Sequence, residues 1–266
     1  MPTSRTTIRD LARFKQEGRR FAVLTAYDYT TASILDQAGI PVLLVGDSLA
    51  QCMLGHDTTL PVSMEEMLHH TRAVVRGTQQ ALVVADMPFG SYQSSVQEGL
   101  ANAVRFLKEA GAQAVKLEGA QPELTQAIVA AGIPVMSHLG LTPQSVHQMG
   151  GYRVQARTDE AAQRLLADAL DLEKAGAFSL VLEGIPSAVA HAVTEALAIP
   201  TIGIGAGPGC DAQVLVVNDL LGLGAGTYPK FVKPYADLRS VVTDAARRFA
   251  TDVEQGAFPD ESHSYS

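Results

Sequence analysis

Short apolar runs recur along the chain, most of them closing on a polar or ionisable side chain. They are Phe21–Ala26 (FAVLTA), Ile40–Ser48 (IPVLLVGDS), Ala81–Asp86 (ALVVAD), Ala114–Glu118 (AVKLE), Ile133–His138 (IPVMSH) and Ser179–Glu183 (SLVLE). Runs this short, rich in Val, Ile and Leu, have the form of parallel strands buried on both faces. Ile199–Gly207 (IPTIGIGAG) adds a seventh, and an eighth is expected within Val214–Leu223. Between the runs the apolar spacing changes to that of helices, over Asp28–Ala38, Met64–Val75, Ser94–Ala110, Glu123–Ala130, Glu160–Ala175 and Ser187–Leu197, with Tyr235–Val253 as a closing helix. Ala-Gly dipeptides at 38–39, 110–111, 131–132 and 175–176 fall where helices hand over to strands, and glycine there accepts the left-handed backbone that ends a helix. Ile8, Leu11 and Phe14 predict a short amphipathic lead-in helix that covers the bottom of the fold.

Strands and helices alternate without a linker or a break in composition, which predicts a single (β/α)8 TIM barrel over residues 1–266, with its site at the carboxyl ends of the strands. A doubly wound open sheet is the competitor, but it needs a reversal of strand order and does not bring consecutive strand ends to one centre. Two long connections, Leu49–Ser63 and Leu139–Asp159, follow strand ends. Segments of that length commonly form a wall of the site or an interface.

Composition narrows the class. With 47% hydrophobic and 18% charged residues among 266, the chain can bury a large core. A formal charge of -8 gives no footprint for nucleic acid or an anionic membrane. No stretch approaches the ~20 apolar residues that span a bilayer, and the first residues lack the apolar centre of a secretory signal, so a cytoplasmic protein is expected. Cys52 and Cys210 have no Cys or His partner at ligand spacing and read as ordinary thiols.

Asp47, Asp86 and Glu118 end three successive strands, so in a barrel they are neighbours. Gathered in a low-dielectric mouth they repel one another unless a cation compensates them, and an all-oxygen donor set suits Mg²⁺. Each acid alone could instead cap the following helix. Lys116 and Glu118 are two apart, which puts both on one face of the strand. Lys116 is a candidate to meet a substrate carboxylate or enolate oxygen, to form a Schiff base, or simply to pair with Glu118. Glu183, on a later strand across the mouth, is the candidate base. Ser48 can hydrogen-bond an anionic substrate but has no His partner to make it a nucleophile. His138 reads equally as a substrate contact or a structural hydrogen-bonder, and His56 shares the ambiguity.

With those residues in place, the chain resembles the ketopantoate hydroxymethyltransferase family. TAYDY at 25–29, LVGDSL at 44–49, GHDTTLPV at 55–62, VKLEG at 115–119, HLGLTPQSV at 138–146 and IGIGAG at 202–207 carry the resemblance, in order and across nearly the whole chain. It implies a metal-dependent barrel of the phosphoenolpyruvate/pyruvate superfamily, a homo-oligomer of decamer type, acting on 3-methyl-2-oxobutanoate with 5,10-methylenetetrahydrofolate as one-carbon donor. Carried onto matching positions, it implies that Asp47, Asp86 and Glu118 surround Mg²⁺, that Ser48 and Lys116 contact the 2-oxo acid, and that Glu183 accepts the proton. The rival readings are a metal-dependent 2-oxo acid lyase of the same superfamily and a non-catalytic barrel that binds a 2-oxo acid.

Overall fold

An apolar run buried on both faces has no partner for its backbone polar groups except a neighbouring strand, and the runs pair accordingly. The computed structural model describes residues 5–224 and 226–265. Its strands are β1 Phe21–Thr25, β2 Val42–Val45, β3 Leu82–Asp86, β4 Ala114–Glu118, β5 Val135–Gly140, β6 Ser179–Glu183, β7 Thr201–Ile204 and β8 Ala212–Leu215. All pair in parallel, in chain order, and β8 returns to β1 to close the barrel. The expected (β/α)8 architecture is therefore present, and an open sheet is not.

The helices up to β7 are α1 Ile8–Gln16, α2 Tyr29–Gln37, α3 Leu49–Cys52, α4 Met64–Gly77, α5 Val96–Lys108, α6 Pro122–Ala130, α7 Val146–Met149, α8 Asp159–Lys174 and α9 Ser187–Ala196. Five of them, α1, α2, α4, α5 and α8, start where a side chain accepts one of the first free N–H groups. Asp28 precedes α2 and accepts from the Thr31 N–H, and Ser95 does the same for Glu98 ahead of α5, so those helices begin slightly later than their apolar spacing suggests. The two long connections are partly ordered into α3 and α7, each only four residues long.

The eighth strand sits earlier than expected, at Ala212–Leu215 instead of within Val214–Leu223. Its start is fixed from β7, because the Asp211 carboxylate accepts the Thr201 N–H at 2.8 Å. The apolar residues that follow turn into a short helix, α10 Val217–Leu220. The closing helix, α11 Leu238–Glu254, begins three residues after the expected Tyr235 because Asp237 caps it. By its internal contacts the chain forms two compact units, one through Val216 and one from Val217 onward. In the second, α11 buries none of its residues and leaves Val241, Val242, Phe249 and Val253 exposed.

The barrel interior is filled by alternate strand residues, among them Val23, Val42, Leu44, Leu82, Val84, Ala114, Met136, Val181 and Ile202. Leu11 and Phe14 of α1 belong to the same core, and Lys15 donates to the Asp211 carboxylate at 2.8 Å and the Thr194 carbonyl at 2.9 Å. The lead-in helix thus plugs the amino end of the barrel and leaves the carboxyl end for chemistry. Asp36, an acid unassigned by motif or spacing, is buried beneath β3, where it accepts the N–H groups of Gln79, Gln80 and Ala81 at 2.9, 3.0 and 2.7 Å. Asp36→Ala strands those donors, so it is expected to cost about 3 kcal/mol of stability while leaving substrate affinity unchanged. Urea unfolding monitored by circular dichroism, beside a binding titration, checks both halves.

Candidate active site

The pleat that fills the barrel with apolar side chains also delivers its polar ones. Inward positions two residues apart continue upward from Val84 to Asp86, from Ala114 through Lys116 to Glu118, from Met136 to His138 and from Val181 to Glu183. The register pairs Asp86 with Lys116 and Glu118 with His138. Asp47 and Ser48 arrive differently, just after the inward Gly46. A Cβ on Gly46 would lie 2.7 Å from the Ser48 Oγ and 3.7 Å from the Asp86 Oδ2, so the glycine makes room for the turn that carries both residues.

Five of these side chains form a line of alternating charge. The Lys116 Nζ lies 2.8 Å from the Asp86 Oδ1 and 3.8 Å from the Glu118 Oε1. Beyond them the His138 Nδ1 lies 3.4 Å from the Glu118 Oε1, and its Nε2 lies 3.3 Å from the Glu183 Oε2. Neither imidazole nitrogen reaches aligned hydrogen-bond geometry. Asp86 also accepts the Asp47 N–H at 3.0 Å, which joins Asp47 to the line. All are buried except Glu183, whose side chain keeps 17% exposure and is the one carboxylate of the line open to an incoming ligand.

The electrostatics follow from that arrangement. Burial, and then the negative charges of Glu118 and Asp86, push the Asp47 carboxyl up to about 8. Burial opposes the charge on Lys116, but Asp86, Glu118 and Asp47 outweigh it and hold the pKa above its ordinary value. His138 behaves alike: burial disfavours the imidazolium, yet its contacts with Glu118 and Glu183 raise the pKa to about 9. Glu118 is held below the usual carboxylate range, against its burial, by His138 and Lys116.

Among the described residues no three His, Cys, Asp or Glu side chains make a ready-made metal cage. The donor set nevertheless fits Mg²⁺, which takes one or two carboxylates and completes its shell with water and substrate oxygens. Four carboxylates, Asp47, Asp86, Glu118 and Glu183, gather around the two cationic side chains Lys116 and His138, an excess of acids that a cation would offset.

Loop residues that motif and charge reasoning passed over support the line. The Tyr27 hydroxyl is 2.8 Å from the Ser48 Oγ. Gln144 donates to the Asp47 carboxylate, and Tyr92 hydrogen-bonds Gln144 in turn. Tyr27 and Gln144 lie inside the TAYDY and HLGLTPQSV stretches, so their positions carried a signal although their roles did not. His56 stands apart, exposed on the connection after α3. The last glycine of IGIGAG serves packing: a Cβ on Gly207 would collide with Ser187 at the start of α9.

Comparison with known proteins bears on the fold and the family. Solved structures that share the fold include 2,3-dimethylmalate lyase, with a TM-score of 0.62 at 17% identity over 99% of this chain and 89% of that one. Phosphonopyruvate hydrolase in complex with oxalate and Mg²⁺ follows, with a TM-score of 0.59 at 15% identity over 96% of this chain and 92% of that one. At such identities the likeness is one of fold. The 3-methyl-2-oxobutanoate hydroxymethyltransferase of Frankia casuarinae is 58% identical over 98% of this chain and 89% of its own length. Its namesake in Pelobacter propionicus is 54% identical over 98% of both. Residues 5–261 match the family model described as ketopantoate hydroxymethyltransferase, and the chain belongs to that family.

Proposed function

We propose that this chain transfers a hydroxymethyl group from 5,10-methylenetetrahydrofolate to 3-methyl-2-oxobutanoate, giving 2-dehydropantoate and tetrahydrofolate, as a Mg²⁺-dependent cytoplasmic enzyme. The observation that carries the proposal is the buried line of alternating charge ending on the more open Glu183. It sets a proton acceptor apart from the carboxylates nearest Lys116. Asp47 and Asp86, with Glu118 beside them, would hold the cation. When bound, Mg²⁺ supplies polarisation of the 2-oxo group and acidifies the adjacent C3–H bond.

The remaining work falls to the protein's own groups. Ser48, oriented by the Tyr27 hydroxyl, donates a hydrogen bond to an oxygen of the 2-oxo acid. Lys116, pinned between Asp86 and Glu118, meets the negative charge that develops on the oxo oxygen without having to reorient. Glu183 takes the C3 proton. The electron pair left on C3 forms the new bond to the methylene carbon, both carbon–nitrogen bonds that tie that carbon to the folate break, water supplies the hydroxyl oxygen, and the two folate nitrogens take up one proton from that water and the one removed from C3. His138 lies against the Glu183 Oε2 and steadies the acceptor through the transfer. The folate is much larger than the oxo acid and needs space beside the mouth. A groove of about 660 Å³ lined by Gly119, Leu139, Gly140, Thr142 and Arg164 begins at the residues that follow Glu118 and His138 and offers that space.

Protein supplied with Mg²⁺ and 3-methyl-2-oxobutanoate in D₂O is expected to exchange the C3 hydrogen without folate, and to form 2-dehydropantoate only once the donor is added. Absence of both exchange and product sinks the proposal. Release of a smaller 2-oxo acid from a lyase substrate would favour the superfamily lyase reading, and binding without any turnover the non-catalytic one. The exposed apolar residues of α11 support a homo-oligomer, and the family resemblance points to a decamer.

A further inference from the structure

Gln144 lies in the 3₁₀ turn Pro143–Ser145 that follows β5, and its side chain is buried against the loops that follow β2 and β3. Its carboxamide is fully engaged. The Nε2 donates to the Asp47 Oδ2 at 2.9 Å and to the Met87 carbonyl at 3.0 Å. The Oε1 accepts from the Tyr92 hydroxyl at 2.7 Å and from the Gln93 Nε2 at 3.2 Å. The Gln144 backbone N–H donates to the Glu118 Oε2 at 3.0 Å. The orientation of the amide is dictated by its neighbours, because the Met87 carbonyl only accepts and so requires the NH₂ end.

Direction then runs through the whole network. The Glu118 N–H donates to the Tyr92 hydroxyl at 3.1 Å, which leaves the tyrosine proton for the Gln144 Oε1. The amide passes the polarity on to Asp47. One residue therefore grips an oxygen of Asp47, at the end of β2, and an oxygen of Glu118, at the end of β4, from a segment that belongs to neither strand. The two carboxylates are held apart by a neutral spacer that uses one oxygen of each.

We infer that Gln144 is a positioning residue for the divalent cation and the 2-oxo acid: it sets the spacing and orientation of Asp47 and Glu118, and Tyr92 orients it. The inference rests on the cation-dependent reading given above. A neutral amide suits the role because it donates to Asp47 without adding charge to a site already rich in carboxylate, whereas Lys or Arg would compete with the cation. Gln144 also brings the segment after β5 into the assembly of the site, since the carboxylates take their paired arrangement only when that turn is seated between them.

The test measures Mn²⁺ binding to metal-free protein by electron paramagnetic resonance, alongside KM and kcat for the oxo acid. Gln144→Met keeps the length and volume and removes every side-chain hydrogen bond. It is expected to raise the Mn²⁺ Kd about tenfold, the loss of one hydrogen bond to a charged group. KM for the 2-oxo acid should rise with it. Tyr92→Phe removes one hydroxyl, should shift the same Kd in the same direction by a smaller factor, and should add less to Gln144→Met in the double variant than it costs alone, since it acts partly through Gln144 and partly by leaving the Glu118 N–H unpaired. Melting temperature separates the alternatives: a purely structural strut lowers it and leaves Kd and KM at wild-type values, and that result overturns the inference. If Gln144→Met does not fold, Tyr92→Phe decides alone, and an unchanged Mn²⁺ Kd in it overturns the inference. Wild-type protein that binds no Mn²⁺ overturns the cation-dependent reading itself. Wild-type binding with unaltered variants overturns only the role of Gln144.

Discussion

Asp86→Ala is expected to abolish the Mg²⁺ dependence of the reaction and to lower its rate by about 10³-fold or more, the scale of several kcal/mol of lost charge stabilisation. Asp86 is the knot of the site. One of its oxygens faces the Lys116 ammonium at 2.8 Å and the other accepts the Asp47 N–H at 3.0 Å, so its removal disturbs the lysine and the turn carrying Asp47 and Ser48 together. Truncating one partner of a buried ion pair also costs about 3–5 kcal/mol of stability, because the remaining charge stays buried. Lys116 keeps only the more distant Glu118 at 3.8 Å among its direct partners. Asp86→Asn separates the effects: its amide oxygen can still accept the Asp47 N–H while the negative charge is gone. If the cation reading is right, the Asn variant stays folded and still fails to bind Mn²⁺ with wild-type affinity. Retention of Mn²⁺ affinity and activity in both variants would show that Asp47 and Asp86, 39 residues apart in sequence, do not hold a cation together.

Much of the barrel was legible because parallel strands buried on both faces leave a strong mark, an apolar run cut off by a polar residue. The eighth strand was less so. Its run merges with Val217–Leu220, and an apolar stretch that passes from strand to helix carries no period of its own. At the site the charged residues were visible and their partners were not. Spacing puts Lys116 and Glu118 on one face, but the nearer partner of Lys116 is Asp86 on the neighbouring strand, a consequence of register that a single strand cannot reveal. His138 had two equal readings, and its position between Glu118 and Glu183 makes it a bridge within the charged line. Tyr27, Tyr92 and Gln144 stayed hidden because uncharged polar residues are ordinary in loops, and only the folded chain shows which site residues they hold.

Glu183→Gln is expected to lower C3–H exchange in D₂O by about 10³-fold, within the range a positioned general base contributes. The change is small in volume, and the Gln Oε1 can still face the His138 Nε2, now 3.3 Å from the carboxylate. What disappears is the basic oxygen. The backbone around it is firmly placed: the Leu141 N–H donates to the Glu183 carbonyl at 2.8 Å, and Gly140, at φ 95°, lets β5 close on that carbonyl where a Cβ would collide. Loss of exchange in a folded variant therefore reports on chemistry and not on a displaced strand end. The decisive contrast lies with the metal. Glu183 stands beyond His138 from Lys116 and Asp86, so the Mn²⁺ Kd and the KM for the 2-oxo acid should stay within about twofold of wild type while kcat collapses, the pattern of a group that acts in the transition state. A large rise in the Mn²⁺ Kd would instead make Glu183 a ligand of the cation. Exchange at the wild-type rate would move the proton acceptor elsewhere, with His138 as the neighbouring candidate.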